Sequence, residues 1–340
     1  MNVSLGEIPS ETLQHLLTTV RCHATPIAIS LFDDHPPISR GDVVEIQGPA
    51  SSGKTHLLYH LLLACILPLA RSSHTSSSFM AQRTSAIVYD LDFSFDVLRF
   101  HRLLARRISC LFPMLDATEH AELVQGSLRR LHIFRPRSQS QLAASLKYLA
   151  SYHASCMPEN EIGFLAIDSV STFYWPERFR EEQMHHFIPE KARGRSDTLC
   201  DILGALSDVI QLYGPVVVLT NWALHAVVQV HHSAALYKQH LRHFPLLHNM
   251  TSFGARTAPE SSDTNILSHP MALAHHISLS CPAASLPGAQ KSFVAGQDLR
   301  NSEGTMEKGH SVVGSIASSL AQGSRPFEFL ITGDDLTQKL

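Results

Sequence analysis

Short, mostly apolar runs alternate with longer segments of helical periodicity through the first two thirds of the chain. In each of the longer segments the apolar residues recur every three or four positions. Strands that alternate with helices of this length predict right-handed crossovers and a parallel sheet covered on both faces. The predicted strands are 43–46, 86–89, 131–134, 164–167 and 215–219, and the predicted helices are 54–67, 95–111, 139–153 and 197–213.

The C-terminal third of the chain has a different pattern. Apolar runs at 276–279, 292–295 and 327–331 have no helical segment between them, which predicts strands that meander along one edge of the sheet. The fold class predicted from the whole pattern is α/β, with a mostly parallel, twisted sheet flanked by helices and antiparallel strands at the C-terminal edge.

The chain is predicted to consist of a short N-terminal segment and one large core. Residues 1–39 contain a helix-like stretch at 10–22, whose apolar face is spaced to dock on the core, followed by a linker. The core spans 40–340. Three irregular polar insertions interrupt it, near 71–85, 176–195 and 229–263.

Composition narrows the class of protein. The chain has 340 residues, 44% hydrophobic and 17% charged, as in ordinary globular proteins. No apolar run reaches the roughly 18–20 residues of a membrane helix, and the N-terminus lacks a secretory signal pattern, so we expect no membrane association. Six cysteines without a Cys-x-x-Cys pair indicate reduced, buried intracellular thiols. A net charge of −3 limits any nucleic-acid contact to a local patch or to partner proteins.

One stretch fits the phosphate-binding pattern G-x-x-x-x-G-K-[ST] at every defined position. A predicted strand precedes it and a predicted helix follows it, which is the context that the pattern requires. Backbone N–H groups of such a loop bind phosphate oxygens, the lysine reaches the β- and γ-phosphates, and the threonine hydroxyl ligates Mg²⁺. The residues of this predicted ATP-binding loop are Gly48, Pro49, Ala50, Ser51, Ser52, Gly53, Lys54 and Thr55.

A carboxylate at the end of a neighbouring strand should complete the metal site. Asp168 follows the apolar run 164–167, where a buried strand would emerge at the sheet edge. P-loop proteins hold Mg²⁺ between the loop hydroxyl and such an acid. Thr55 and Asp168 are therefore the predicted metal-site residues, with ATP and Mg²⁺ as the predicted ligands.

Three blocks of the sequence resemble a known family. The blocks at 48–68 (GPASSGKTHLLYHLLLACILP), 86–100 (AIVYDLDFSFDVLRF) and 164–180 (FLAIDSVSTFYWPERFR) are similar to the RecA-type strand-exchange ATPases. More narrowly, they resemble the eukaryotic recombinase paralogues that assist the main recombinase. The resemblance covers residues 40–225 and is faint beyond them. It implies a RecA-like P-loop NTPase core.

The resemblance also implies a function. It suggests a nuclear accessory factor in DNA double-strand break repair by homologous recombination, which works in a heteromeric complex with other recombinase paralogues. Single-stranded or branched DNA would be reached through that complex. About 40 residues precede the first core strand, so we do not expect the N-terminal helical domain with which relatives contact their neighbours.

Two departures from the family pattern concern hydrolysis. Active members carry a glutamate, which orients the attacking water, at the position held here by Asp92. The aspartate carboxylate is set back by about 1.5 Å, and misplacements of about 1 Å can slow catalysis on the order of a hundredfold. The family's Thr-Asn-Gln sensor reads Thr220-Asn221-Trp222. We therefore expect ATP to be mainly a structural ligand, with Asp92 an inefficient base at most and weak or no ATPase activity.

Other features allow two readings each. The histidine pairs at 185–186, 231–232 and 275–276 suggest a metal site, but without carboxylates or thiols at ligand spacing they favour a solvated, His-rich surface. The aromatic cluster 173–175 can stack on a DNA base, but packing against a partner or the core is favoured. The basic residues between 178 and 195 are interleaved with glutamates, so a DNA-facing loop and a solvated loop are equally consistent with them.

The sequence is also consistent with two other functions. One is a competent DNA-dependent ATPase. The other is a small-molecule P-loop kinase, which would need a lid with clustered arginines and an acceptor-binding carboxylate, and neither is clear in the sequence.

Overall fold

The computed structural model of the protein describes residues 37–67, 84–173, 176, 179, 183, 198–222, 273–280, 310–318, 324–332 and 335–338. The predicted N-terminal helix at 10–22, the predicted strand at 292–295 and most of the three polar insertions lie outside these residues.

The described strands form one nine-stranded sheet with the order β3-β2-β4-β5-β1-β6-β7-β8-β9. The first six strands along the chain pair in parallel, and the last three pair antiparallel from β6 outward. The strands are β1 (Val43–Gly48), β2 (Thr84–Asp90), β3 (Leu131–Phe134), β4 (Glu161–Asp168), β5 (Val216–Trp222), β6 (His275–Ser280), β7 (His310–Ser318), β8 (Ser324–Ile331) and β9 (Leu336–Gln338).

Within the described residues, five α-helices lie between the parallel strands, and three of them start at a side-chain cap. The helices are α1 (Lys54–Ile66), α2 (Val97–Leu111), α3 (Ala117–Leu128), α4 (Gln139–Cys156) and α5 (Thr198–Tyr213). Asp96 accepts hydrogen bonds from two backbone N–H groups at the start of α2, and Ser138 accepts one at the start of α4. Asp116 and Glu119 form a reciprocal capping box at the start of α3.

Alternate residues of the central strands face opposite sides of the sheet and fill two apolar cores. On β1, Val44 and Ile46 pack in the core beneath α1, α2 and α3, whereas Val43 packs in the core beneath α4 and α5. Residues of β7 and β8 join the first of these cores. As a result α1 is covered on several sides, which explains why its apolar residues extend around the helix instead of forming one stripe.

The order of the strands creates a crevice at their carboxyl ends. The chain passes from β1 to β3 over the face that holds α1, α2 and α3, and it returns from β3 to β5 over the face that holds α4 and α5. Ligands of open α/β sheets bind where the connections change face in this way. The predicted phosphate loop follows β1, and Asp168 ends β4, so both lie at this edge.

The predicted fold class is confirmed, and the differences in detail have identifiable causes. All five predicted parallel strands and all four predicted helices are present. The pattern missed α3, although its capping box Asp116–Glu119 was a readable signal. It also missed β7, whose apolar alternation is interrupted at Gly314. Cys65 is buried as expected, but Cys110 and Cys156 are exposed, so the inference of buried thiols was wrong for these two.

Gly314 generates a test of the antiparallel edge. A Cβ atom at this position of β7 would lie 2.3 Å from Cζ of Phe327, its partner on β8. Gly314→Ala should therefore lower the free energy of unfolding by about 1–3 kcal/mol, because the buried ring has to shift. Urea unfolding measures the change.

Gly126→Ala is the matched control for that substitution. Gly126 lies inside α3 with nothing within 4 Å of an added Cβ atom. Alanine should stabilise this helix by up to about 1 kcal/mol. Equal effects of the two substitutions would contradict the close packing between β7 and β8.

Candidate nucleotide-binding site

The loop between β1 and α1 has the backbone of a phosphate cradle. Gly53 adopts a left-handed conformation with φ 87° immediately before the first residue of α1, and Ser51 has φ 61°. Successive residues in such turns point their N–H groups into one concavity, which attracts anions. The N-terminus of α1 opens onto the same concavity and adds its partial positive charge.

Close contacts require both glycines of the motif, and the left-handed conformation of Gly53 requires glycine there as well. A Cβ atom at Gly48 would lie 2.3 Å from Oγ of Ser52 and 2.9 Å from the carbonyl oxygen of Leu279. A Cβ atom at Gly53 would lie 2.8 Å from Cδ1 of Ile331 on β8. The loop is therefore held between the sheet edge and the antiparallel strands, and any side chain at these positions would displace it.

Lys54 lies folded against its own loop. Its side chain is largely buried, and Nζ donates hydrogen bonds to the carbonyl oxygens of Gly48, at 2.9 Å, and Pro49, at 2.7 Å. These contacts hold the ammonium group at the mouth of the cradle. The long lysine side chain can exchange carbonyl oxygens for phosphate oxygens by rotation alone, because it is a flexible point charge with three donors.

Asp168 is the acid next to the loop. It is fully buried at the end of β4, where its Oδ2 accepts a hydrogen bond from the Thr55 hydroxyl at 3.2 Å and its Oδ1 accepts one from the Thr220 hydroxyl. Burial raises the pKa of Asp168 to about 6, and the Thr220 hydrogen bond partly opposes that shift. The predicted metal-site residues Thr55 and Asp168 thus meet, although 113 positions separate them in the chain.

The donor set fits ATP with Mg²⁺. The hydroxyl of Thr55 and the carboxylate of Asp168 are the hard oxygen ligands that Mg²⁺ prefers, and Mg²⁺ usually takes few protein ligands together with substrate phosphates. The buried hydroxyl of Ser52 makes no hydrogen bond within the described part of the chain, so it is available inside the loop. When bound, Mg²⁺ would neutralise phosphate charge, and Lys54 would neutralise more of it.

Asp92, the candidate water-orienting base, lies beside the metal-site acid. Its Oδ2 accepts a hydrogen bond from the hydroxyl of Ser169, and its Oδ1 accepts one from the backbone N–H of Ser94 at 3.1 Å. Asp90, two residues earlier, is fully buried and forms an ion pair with Arg135, whose Nε lies 2.9 Å from Oδ2. Asp90 is therefore held in an ion pair with Arg135, whereas Asp92 is hydrogen-bonded to Ser169, the residue after Asp168.

The sensor position ends β5 next to the same site. Thr220 contacts Asp168, as described, and Asn221 lies on the opposite face of the strand, where its Nδ2 donates to Oε1 of Glu45 at 3.4 Å. The backbone N–H of Trp222 donates to Oγ of Ser171, and the indole is partly exposed. The structure thus connects this end of β5 to β4 and to β1.

The histidine pair at 275–276 corrects one prediction. Both residues are buried in β6 rather than solvated, and Nε2 of His276 lies 3.2 Å from Oε1 of Gln47. Burial lowers the pKa of His276 to about 4, so the imidazole is neutral and donates to the glutamine oxygen. Among the described residues, no group of three or more His, Cys, Asp or Glu side chains is placed to hold a metal ion. The other two histidine pairs lie outside these residues.

The aromatic cluster is only partly described. Phe173 is buried and packs in the core beneath α4 and α5, which agrees with core packing for this residue. Residues 174 and 175 and the basic positions between 178 and 195 lie outside the described residues.

Among the described helices, none is long and apolar enough to cross a membrane.

Sequence reasoning missed two members of the site. Ser169 follows the metal-site acid, and its left-handed backbone (φ 64°) turns its hydroxyl toward Asp92. Arg135, which pairs with Asp90, follows β3. A serine after a strand and an arginine in a turn are common, so only the spatial order of β3, β2 and β4 shows their relevance.

Comparison with known proteins supports the resemblance. No family model matches the chain. It is 32% identical over 149 residues to the mouse DNA repair protein XRCC2, a match that covers 44% of this chain and 47% of the mouse protein. It is 24% identical over 214 residues to an Arabidopsis thaliana DNA repair protein XRCC2 homolog, covering 56% of each chain. The match therefore spans about half the length of these curated relatives.

These relatives confirm the resemblance to recombinase paralogues drawn from the three sequence blocks. Within that group, the chain is similar to the second of the X-ray-repair cross-complementing paralogues, which is XRCC2. The likeness holds for the matched half of the chain.

Lys54→Ala tests the loop. The substitution removes the one side-chain charge placed at the cradle, and charged hydrogen bonds contribute about 1.5–3 kcal/mol, so affinity for Mg²⁺-ATP should fall by about tenfold to a hundredfold. A titration with fluorescent ATP measures it. Lys147→Ala, which removes an exposed lysine on α4, is the control and should leave affinity unchanged. Equal affinity in wild type and Lys54→Ala would exclude this loop as the phosphate site.

Asp168→Asn tests the buried acid in the nucleotide-free protein. Because the folded-state pKa, about 6, lies above the usual value of 3.8, this group stabilises the fold when protonated, and that contribution is lost as pH rises through about 6. The variant should therefore gain stability relative to wild type by about 1–2 kcal/mol between about pH 5 and about pH 7.5. Urea unfolding without Mg²⁺ measures it. A pH-independent difference, or the same gain in the exposed control Asp201→Asn, would contradict the raised pKa.

Proposed function

We propose that this protein is a nucleotide-binding accessory factor in the repair of DNA double-strand breaks by homologous recombination. The observation that carries the proposal is the meeting of the Thr55 hydroxyl with the Asp168 carboxylate at the mouth of a glycine-built phosphate loop. The likeness to two DNA repair proteins supplies the process in which such a site would act.

ATP is proposed to act mainly as a structural ligand. The base position holds an aspartate whose two carboxylate oxygens already accept hydrogen bonds. A general base must bring an oxygen within hydrogen-bond distance of the water, and these two contacts restrict how the short side chain turns toward it. The third sensor position is a tryptophan, which has no amide to contact a phosphate or water. Slow turnover of bound ATP follows from this combination.

The working unit is proposed to be a nuclear, heteromeric complex with other recombinase paralogues. Proteins that bind DNA on their own usually carry a basic surface, whereas this chain has a net charge of −3. Single-stranded or branched DNA would therefore be contacted mainly through the assembled complex. Bound ATP would stabilise the fold of this subunit within it, since any ligand of the folded state adds to its stability.

Co-expression tests the complex and the role of ATP together. Expressed with each recombinase paralogue of the same cell in turn, the chain should co-purify with one of them as a stoichiometric pair. Expressed alone, it should be monomeric or poorly soluble. Chromatography of an acid extract from the pair should show ATP that persists over hours, and a pair that carries Lys54→Ala should contain less ATP.

Two results would contradict the proposal. Long ATP-dependent polymers of the isolated chain in sedimentation would indicate an autonomous recombinase. A soluble, monodisperse chain with no affinity for any paralogue would exclude the heteromeric complex.

A competent DNA-dependent ATPase is the second candidate. The site favours it to the extent that Lys54, Thr55, Asp168 and a carboxylate at position 92 are all present at one edge of the sheet. Rapid turnover of ATP by the isolated chain, stimulated by single-stranded DNA, would favour this candidate over structural binding.

A further inference from the structure

Ser169 has an uncommon backbone conformation and a hydrogen bond to Asp92. It follows Asp168 at the end of β4, and its φ of 64° lies in the left-handed region that residues other than glycine rarely adopt. In this conformation the side chain turns away from the direction of the strand, and its hydroxyl donates a hydrogen bond to Oδ2 of Asp92 at the end of β2. Uncommon backbone conformations of this kind persist where the surroundings determine them.

Thr220 supplies those surroundings from β5. Its Oγ1 accepts a hydrogen bond from the backbone N–H of Ser169 at 2.6 Å, and the same hydroxyl donates its proton to Oδ1 of Asp168. Both contacts are buried. One threonine thus fixes the metal-site acid and the turn that follows it, and the orientation of Ser169 follows from the position of β5 beside β4.

The consequence for Asp92 is that neither carboxylate oxygen is left without a protein donor. Oδ2 is bound by Ser169, and Oδ1 is bound by the backbone N–H of Ser94. The backbone contact is part of the turn after β2 and would be present with almost any residue at position 94. The Ser169 contact depends on one hydroxyl group, so a substitution at position 169 removes it.

We propose that Ser169 is a positioning residue that holds the carboxylate at position 92 away from the hydrolytic water, and so keeps the site in a nucleotide-holding state. This inference rests on the proposed function, since it presupposes that the loop binds ATP. It adds a second cause of slow hydrolysis to the short aspartate side chain. The two causes are separable, because one lies in residue 92 and the other in residue 169.

The reaction that Ser169 restrains is the ordinary hydrolysis of ATP. Water adds to the γ-phosphorus, the bond from that phosphorus to the bridging oxygen of ADP breaks, and the carboxylate at position 92 takes the proton of the water. Once the Ser169 hydroxyl is removed, the carboxylate loses the contact that fixes its orientation and can turn an oxygen toward that water. The increase in the rate of ATP hydrolysis should therefore appear only when residue 92 is a carboxylic acid.

A cycle of variants in the full chain tests this dependence. Ser169→Ala is introduced into Asp92→Glu, which restores the length of the base, and into Asp92→Asn, which has no base. Single-turnover cleavage of radiolabelled ATP is measured at saturating protein. Ser169→Ala should raise the rate constant about tenfold with glutamate at position 92 and should leave it unchanged with asparagine, because general-base assistance requires the carboxylate. The rate change caused by Ser169→Ala in one background is compared with the change in the other. The difference, expressed as a free energy, is the coupling between positions 92 and 169.

Two further variants keep the test decisive if alanine disturbs the left-handed turn. Ser169→Gly also removes the hydroxyl, and glycine adopts φ near 64° without cost, so it should reproduce the alanine result. Ser127→Ala removes another buried hydroxyl, on α3, which contacts Arg130 rather than the site, and it should change the rate in neither background.

The outcomes distinguish this inference from the proposed function. Equal rate changes in the glutamate and asparagine backgrounds, or no change in either, overturn the role of Ser169 while intact ATP binding leaves the proposed function standing. If labelled ATP does not bind the wild-type chain at all, both are overturned.

Discussion

The candidate site is organised around one buried carboxylate, that of Asp168. A buried carboxylate is stable only if hydrogen-bond donors or cations surround it. Here the donors are two hydroxyl groups from different parts of the chain, Thr55 on α1 and Thr220 on β5. Because no described lysine or arginine pairs with it, this carboxylate binds a proton more readily than an exposed aspartate does. The cost to stability and the proposed affinity for a metal ion have the same origin.

The strand order makes this arrangement possible. Since β5 lies between β1 and β4, a residue that ends β5 can reach the acid at the end of β4 while the phosphate loop approaches from β1. The buried polar contacts continue on the other face of the sheet, from Asn221 to Glu45 and from His276 to Gln47. Side chains thus link four neighbouring strands, β4, β5, β1 and β6, and a change at one strand has a physical route to the others.

The sequence predicted most of the scaffold and the phosphate-binding half of the site. The loop and its flanking strand and helix are local features, so Gly48, Gly53 and Lys54 could be placed from their spacing alone. Asp168 was predictable because a carboxylate at the end of an apolar run is also a local signal. The hydrogen bond from Ser169 to Asp92 was not predictable, because it joins β4 to β2 and depends on strand order and on one left-handed residue. Likewise, His276 looked solvated because its polar partner, Gln47, lies on β1.

The contact between Gly53 and Ile331 has a consequence for biosynthesis. A chain that emerges from the ribosome forms its N-terminal units first, yet the phosphate loop packs against a β8 residue that is synthesised 278 positions later (331 − 53). Until β7 and β8 dock, the start of α1 has no wall behind it, so a nascent or truncated chain has the binding motif without its support. Any ligand of this loop would then bind the completed fold in preference to a partial chain.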